Sequence, residues 1–142
     1  MPDQPLTTEN YPLAETSPER VTGHRGKSLD ELTLEAVLAG DVGMEDLRIT
    51  PNALLQQAQI ARSAGRAALA RNFERAAEMT RVPQDTIMEI YELLRPGRTR
   101  SIESLQNTAQ RLRREFNAPL LAQLVEEAAS AYEKRGLFRN RY

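Results

Sequence analysis

Cysteine is missing from this 142-residue chain, histidine occurs once and lysine twice. Without cysteine there is no disulfide framework, no thiolate zinc site and no cysteine nucleophile. The single imidazole, His24 in the stretch VTGHRGK, has no second histidine with which to build a metal site. No run of about 18 apolar residues occurs, so a membrane-spanning helix is not expected. The start, MPDQPLTTENYPLAE, lacks the basic and then apolar stretch of a secretory signal. A cytoplasmic protein of one domain, or one domain and a tail, is the simplest reading. Phosphate-binding signatures are missing too. There is no Walker loop, and the glycines of GHRGK do not form a dinucleotide fingerprint, which would follow a strand. Asp41, Glu45 and Asp46 cluster in GDVGMEDL, but not with the alternating oxygen-ligand spacing of a calcium loop; they read as a solvated acidic turn. No catalytic, cofactor-binding or metal-binding residue is therefore assigned.

What is present is charge, unevenly placed. Residues 1–50 carry ten acidic side chains against four basic ones, Arg20, Arg25, Lys27 and Arg48, while the remainder carries ten acidic against fifteen basic. Seventeen of the nineteen basic residues are arginine, whose planar, weakly hydrated fork of donors suits protein interfaces; an arginine-favouring genome explains the bias equally well.

The pattern along the chain is helical throughout. Residues 1–27 hold Pro2, Pro5, Pro12, Pro18, Gly23 and Gly26 with almost no apolar period, which predicts an extended N-terminal arm, too polar for a core, that stays mobile or lies along another surface. The helical domain is expected over 28–142. Ser28 and Glu31 have the spacing of a capping box ahead of Leu34, Val37 and Leu38, and Gly40 supplies a stop. After a short turn around Met44 to Arg48, Thr50-Pro51 reads as an N-cap with proline at the first helical position. About thirty residues of helix follow, with Leu54, Ala58, Ala61, Leu69, Phe73, Ala76 and Ala77 on one face; Gly65 within them marks a break or a close helix crossing. Val82-Pro83 closes that stretch, and Ile87, Ile90, Tyr91 and Leu94 predict a helix over 84–95 that Pro96-Gly97 ends. Ser101 caps a helix carrying Leu105, Ala109, Leu112 and Phe116. Asn117 to Pro119 is a turn, and Leu121, Leu124, Val125, Ala128 and Tyr132 line the last helix, closed at Gly136. The expected fold is all-α, an irregular bundle of five or six helices, with Phe73, Ile90, Tyr91, Leu94, Phe116 and Leu124 in the core.

Two functional classes fit these features. ERAAEMTRVPQDTIMEIYELLRPGRTR can be drawn as a helix-turn-helix with a basic loop, but such helix pairs are common and the acidic first third would repel a phosphate backbone. A polar arm, an arginine-dominated charged set and a modest core favour a protein that packs against larger subunits. The alternative is a free-standing helical regulator or nucleic-acid-binding module.

Several stretches in order resemble the small (gamma) subunit of adenosylcobalamin-dependent diol and glycerol dehydratases: YPLA at Tyr11 to Ala14, GKSLDELTLEAVLAGDVGMEDLRIT from Gly26 to Thr50, QAQIA at Gln57 to Ala61, LARNFERAAEM at Leu69 to Met79 and VPQDTIMEIYELLRP at Val82 to Pro96. The resemblance runs from about residue 11 to 135. It implies a heterohexamer with two copies each of a large, a medium and a small subunit, converting a 1,2-diol or glycerol to an aldehyde and water. It also implies that adenosylcobalamin, bound by the other subunits, starts the reaction by cobalt–carbon homolysis and hydrogen abstraction, and that the small subunit carries no catalytic residue and clasps the large one. On that reading Tyr11, Leu13, Arg48, Arg71, Arg95 and Arg98 contact the large subunit, with intrachain ion pairs as the alternative for Arg71 and Arg95. No nucleic acid and no membrane are expected as partners. Small subunits of encapsulated members often carry an amino-terminal extension, whereas ten residues precede Tyr11 here; any microcompartment association is expected to run through other subunits.

Overall fold

The computed structural model describes residues 4–138. They are helical, joined by tight turns, with one isolated antiparallel bridge between Thr22 and Ser28. Three short helices, α1 (Leu13–Thr16), α2 (Leu34–Leu38) and α3 (Met44–Leu47), precede five longer ones, α4 (Pro51–Ser63), α5 (Ala67–Met79), α6 (Gln84–Leu94), α7 (Ile102–Phe116) and α8 (Pro119–Lys134). The chain forms two compact units, dividing between Ala77 and Glu78 within α5.

The first unit is organised by α4. Thr50 accepts a hydrogen bond from the Ala53 N–H at 3.0 Å and Pro51 follows, the start expected from the sequence. One face of α4 presents Ala58 and Ala61, which meet Ala70 and Phe73 of α5. Another receives the amino-terminal residues. Leu6 and Leu13 are buried against Ile60, the Gln59 side chain accepts from the Leu6 N–H at 2.9 Å, the Ser63 hydroxyl accepts from the Thr8 N–H at 3.2 Å, and Gln56 donates to the Arg20 carbonyl at 3.0 Å. Residues 6–20 are thus wound into short turns and α1 along their own α4. Two leucines and a row of side-chain hydrogen bonds suffice to hold them, because α4 satisfies backbone groups that a polar strand would otherwise leave to water. Gly65 is a break and not a crossing: its φ is +74°, nothing lies within 4 Å of where a Cβ would stand, and the Gly65 and Arg66 N–H groups bond back to Arg62 and Ala61 at 3.0 and 2.9 Å, closing α4.

In the second unit α7 and α8 form an antiparallel pair around Leu105, Ala109, Leu112, Leu121, Ala122, Val125 and Ala129, and α6 lays Ile87, Ile90, Leu93 and Leu94 against it. Alanines at 109, 122 and 129, each no more than 2% exposed, make room for the large side chains beside them. Glu78 is 7% exposed and accepts from the Leu120 and Leu121 N–H groups at 3.1 and 2.8 Å. Pro119 opens α8 and Ala118 offers no capping side chain, so Glu78 supplies the cap, and a negative charge, to the orphan donors of the first turn. Tyr132 donates to the Leu94 carbonyl and packs edge-on against Phe138.

The expected core needs correction at two positions. Tyr91 on α6 is 58% exposed and Leu124 on α8 is 36% exposed, because the apolar stripe on each of these helices is wider than the strip its neighbours cover. Phe73, Ile90, Leu94 and Phe116 are half-buried, each packed on a core cluster.

Candidate subunit interface

Between Arg20 and Thr50 a set of ion-pair, cap and turn contacts ties the chain to itself. A tight loop runs from Thr22 to Ser28, with the Gly23 N–H bonded to the Lys27 carbonyl at 3.0 Å. Gly23 passes so close to α3 that a Cβ there would sit 3.0 Å from the Asp46 carbonyl oxygen, a contact only glycine avoids. The Arg25 guanidinium then reaches Asp46 in a two-pronged ion pair, Nε to Oδ1 at 2.8 Å and Nη2 to Oδ2, and also donates to the Asp41 carbonyl at 2.8 Å. Asp46 accepts in addition from the Gly43 N–H at 2.9 Å, capping α3. Its side chain is fully enclosed, and the Arg25 hydrogen bonds, followed by that of Gly43, hold its carboxyl well below the usual range, at about 2. His24 Nε2 lies 3.2 Å from the Ile49 carbonyl, which accepts, so the ring proton is on Nε2.

Ser28 and Glu31 form the expected box, with the Ser28 N–H bonded to the Glu31 carboxylate at 2.7 Å, which lowers the pKa of that carboxyl. The box closes a single 3₁₀ turn, Leu29–Glu31, and α2 starts later with Thr33 as its cap. On this framework the large apolar side chains face outward. Leu34 is 69% exposed, Leu38 79%, Met44 73%, Leu47 59% and Ile49 57%, with Leu29 and Val37 less so. Contiguous exposed apolar side chains of this kind are the feature that makes this segment a candidate interaction surface.

The six residues expected at an interface are distributed over both units. Tyr11 is 64% exposed. Leu13 is taken up by the chain's own core against Leu6 and Ile60, so it anchors the segment that displays Tyr11. Arg48 and Arg71 are exposed on the first unit. Arg95 and Arg98 stand on one turn of the second unit, their backbones joined by the Arg98 N–H to Arg95 carbonyl bond at 3.1 Å; Arg95 is engaged by Glu92 at 3.2 Å, an intrachain pair of the kind weighed from the sequence. Leu34, Leu38, Met44 and Leu47 were missed as interface candidates. The helical spacing of Leu34 and Leu38 reads as a core stripe, and Met44 to Arg48 as a short turn where the structure has α3; the signal against a core was the shortness of the stretch between Thr33, Gly40 and Gly43.

A second apolar feature is a cavity of about 160 Å³ in the second unit, lined by Met79, Ile87, Ile90, Tyr91, Leu94, Leu112, Leu121, Leu124 and Val125. Among the described residues no three of histidine, cysteine, aspartate and glutamate come together as a metal site, and no helix is long and apolar enough to cross a membrane. The arginine and carboxylate groups whose ionisation is displaced are engaged in ion pairs or caps: Arg25 with Asp46, Arg62 with Glu74 at 2.7 Å, Arg111 with Glu115 at 3.1 Å, Arg113 with Glu126, and Glu31 with Ser28.

Residues 6–139 match the family model described as dehydratase small subunit. Over 126 residues, 89% of this chain, the sequence is 49% identical to the propanediol dehydratase small subunit of Citrobacter freundii, of which it covers 73%, and equally to that of Salmonella typhimurium, of which it covers 72%. The reading as a free-standing regulator or nucleic-acid-binding module gains no support from these relatives.

Proposed function

The chain belongs to the dehydratase small-subunit family, and from that premise we propose that it is the non-catalytic small subunit of an adenosylcobalamin-dependent enzyme converting a 1,2-diol or glycerol to an aldehyde and water. The observation that carries this reading is the match over residues 6–139, which spans both structural units and every element named above. The proposed assembly holds two copies each of a large, a medium and this small subunit in the cytoplasm, with any microcompartment association directed by the other chains.

The donor set of this chain does not suit a corrinoid or a metal ion. Its one imidazole is engaged by the Ile49 carbonyl, and the carboxylates whose ionisation is displaced are held by arginine or backbone donors. The cofactor, held by the other subunits, supplies the radical chemistry. The part of this chain is to bind and brace. Residues 6–20 present Tyr11 from their seat on α4, and Arg48, Arg71 and Arg98, with Arg95 beside its Glu92 partner, offer guanidinium forks to carboxylates of the large subunit. Coexpression with the remaining dehydratase subunits tests this: the tagged chain retains them through affinity and size-exclusion steps and the pool dehydrates 1,2-propanediol or glycerol when adenosylcobalamin is added. Recovery of the tagged chain alone contradicts the proposal.

A further inference from the structure

From Ser28 to Leu47 the sequence carries six acidic side chains and no basic one. Five of them, Asp30, Glu31, Glu35, Asp41 and Glu45, are exposed, and they alternate with exposed Leu34, Leu38, Met44 and Leu47 on α2 and α3. The sixth, Asp46, faces inward and is fixed by Arg25 and Gly43. The segment is therefore a capped framework for apolar side chains set among negative charges, held by its own caps at Ser28, Thr33 and Gly43. Leu34, Leu38 and Leu47 keep more than half of their surface in water, so they gain little from the fold that bears them.

We infer that residues 28–49 form a docking surface for a protein partner whose apolar pockets are bordered by lysine and arginine, and that this partner is another subunit of the dehydratase assembly. The inference rests on the small-subunit reading for the partner's identity and on charge complementarity for its chemistry. An anionic lipid surface is disfavoured by the same acidic side chains, and a second copy of this segment would set like charges against each other. Apart from Arg48, which lies at its carboxyl-terminal edge, the surface is distinct from the Tyr11 and arginine positions, which would meet acidic groups; over residues 28–47 the signs are reversed.

The test uses the full chain, tagged and coexpressed with the other dehydratase subunits, as wild type and as two variants. Leu34→Ser with Leu38→Ser removes the apolar contacts. Asp30→Lys with Asp41→Lys reverses charge at two exposed sites; Asp41 lies just past the end of α2, where a cation suits the helix dipole. Both variants should keep wild-type helicity and thermal unfolding. The serine variant should capture the other subunits roughly tenfold more weakly or worse. The lysine variant should also be weaker at low salt and recover as salt rises, while wild-type capture weakens with salt. Capture by both variants equal to wild type at every salt concentration would overturn the inference while leaving the small-subunit reading standing. Failure of the wild type itself to capture any subunit would overturn both. Sedimentation of the isolated chain as a dimer that the serine variant abolishes, with subunit capture unchanged, would assign the surface to a second copy and overturn it as well.

Discussion

The Asp46 carboxylate collects two hydrogen bonds from Arg25 and one from the Gly43 backbone, and this one residue ties the loop at Gly23 to the start of α3. Because its folded pKa lies below the ordinary value of 3.8, at about 2, the ionised carboxylate stabilises the fold at every pH above 3.8, and that contribution disappears as the pH falls toward 2. Asp46→Asn should accordingly unfold at lower denaturant concentration at neutral pH, and the gap to wild type should close on acidification through that window when both are followed by circular dichroism. Glu126 and Glu31, also lowered, act in the same direction. Tyr11 sits at the opposite extreme, 64% exposed and part of no apolar cluster. Tyr11→Ala should leave thermal unfolding unchanged and weaken capture of the large subunit by about 2 kcal/mol, as loss of an aromatic anchor does. Equal capture by the variant in a titrated pull-down would remove Tyr11 from the interface.

Helix boundaries were legible at the scale of single elements wherever local chemistry sets them. Thr50-Pro51, Ser101, Gly65 and the Asn117 turn stand where the sequence placed them, because caps, prolines and left-handed residues act within a few positions of themselves. What lay beyond local reading was the partner of each face. Leu6 and Leu13 find Ile60, more than forty residues away, and nothing in a proline-rich arm announces that contact. Leu34 and Leu38 on α2, and Tyr91 on α6, have the spacing of a core stripe, but periodicity states which residues share a face and not what covers it. The Ser28–Glu31 box was likewise correct as chemistry and serves a 3₁₀ turn, with the helix beginning at Thr33. The cap of α8 is a further case, since Glu78 reaches Leu120 and Leu121 across more than forty residues. Glu78→Ala leaves two backbone donors without that acceptor, and should cost about 1 to 2 kcal/mol of stability in chemical denaturation. Glu78→Gln, which keeps an acceptor and loses the charge, should recover part of it.

For the whole molecule, the two units carry different surfaces. The first displays an acidic and apolar segment over residues 28–49 together with Tyr11; the second displays Arg95 and Arg98 on one turn and an apolar cavity beside Tyr91 and Leu124. Such surfaces suit a chain that completes its structure against others. Deleting residues 1–20 would remove Leu6 and Leu13 with Tyr11, so that variant should lose both thermal stability and assembly, whereas Tyr11→Ala should lose assembly alone. The most direct test of the central claim is size-exclusion chromatography, with dehydratase assays on the fractions, of the coexpressed subunits with and without this chain. The expected result is coelution of the 16.0 kDa chain with the other subunits in the active peak, and a loss of assembly or activity when the chain is omitted. Elution of the chain as a free monomer beside a fully active complex of the others would contradict the account.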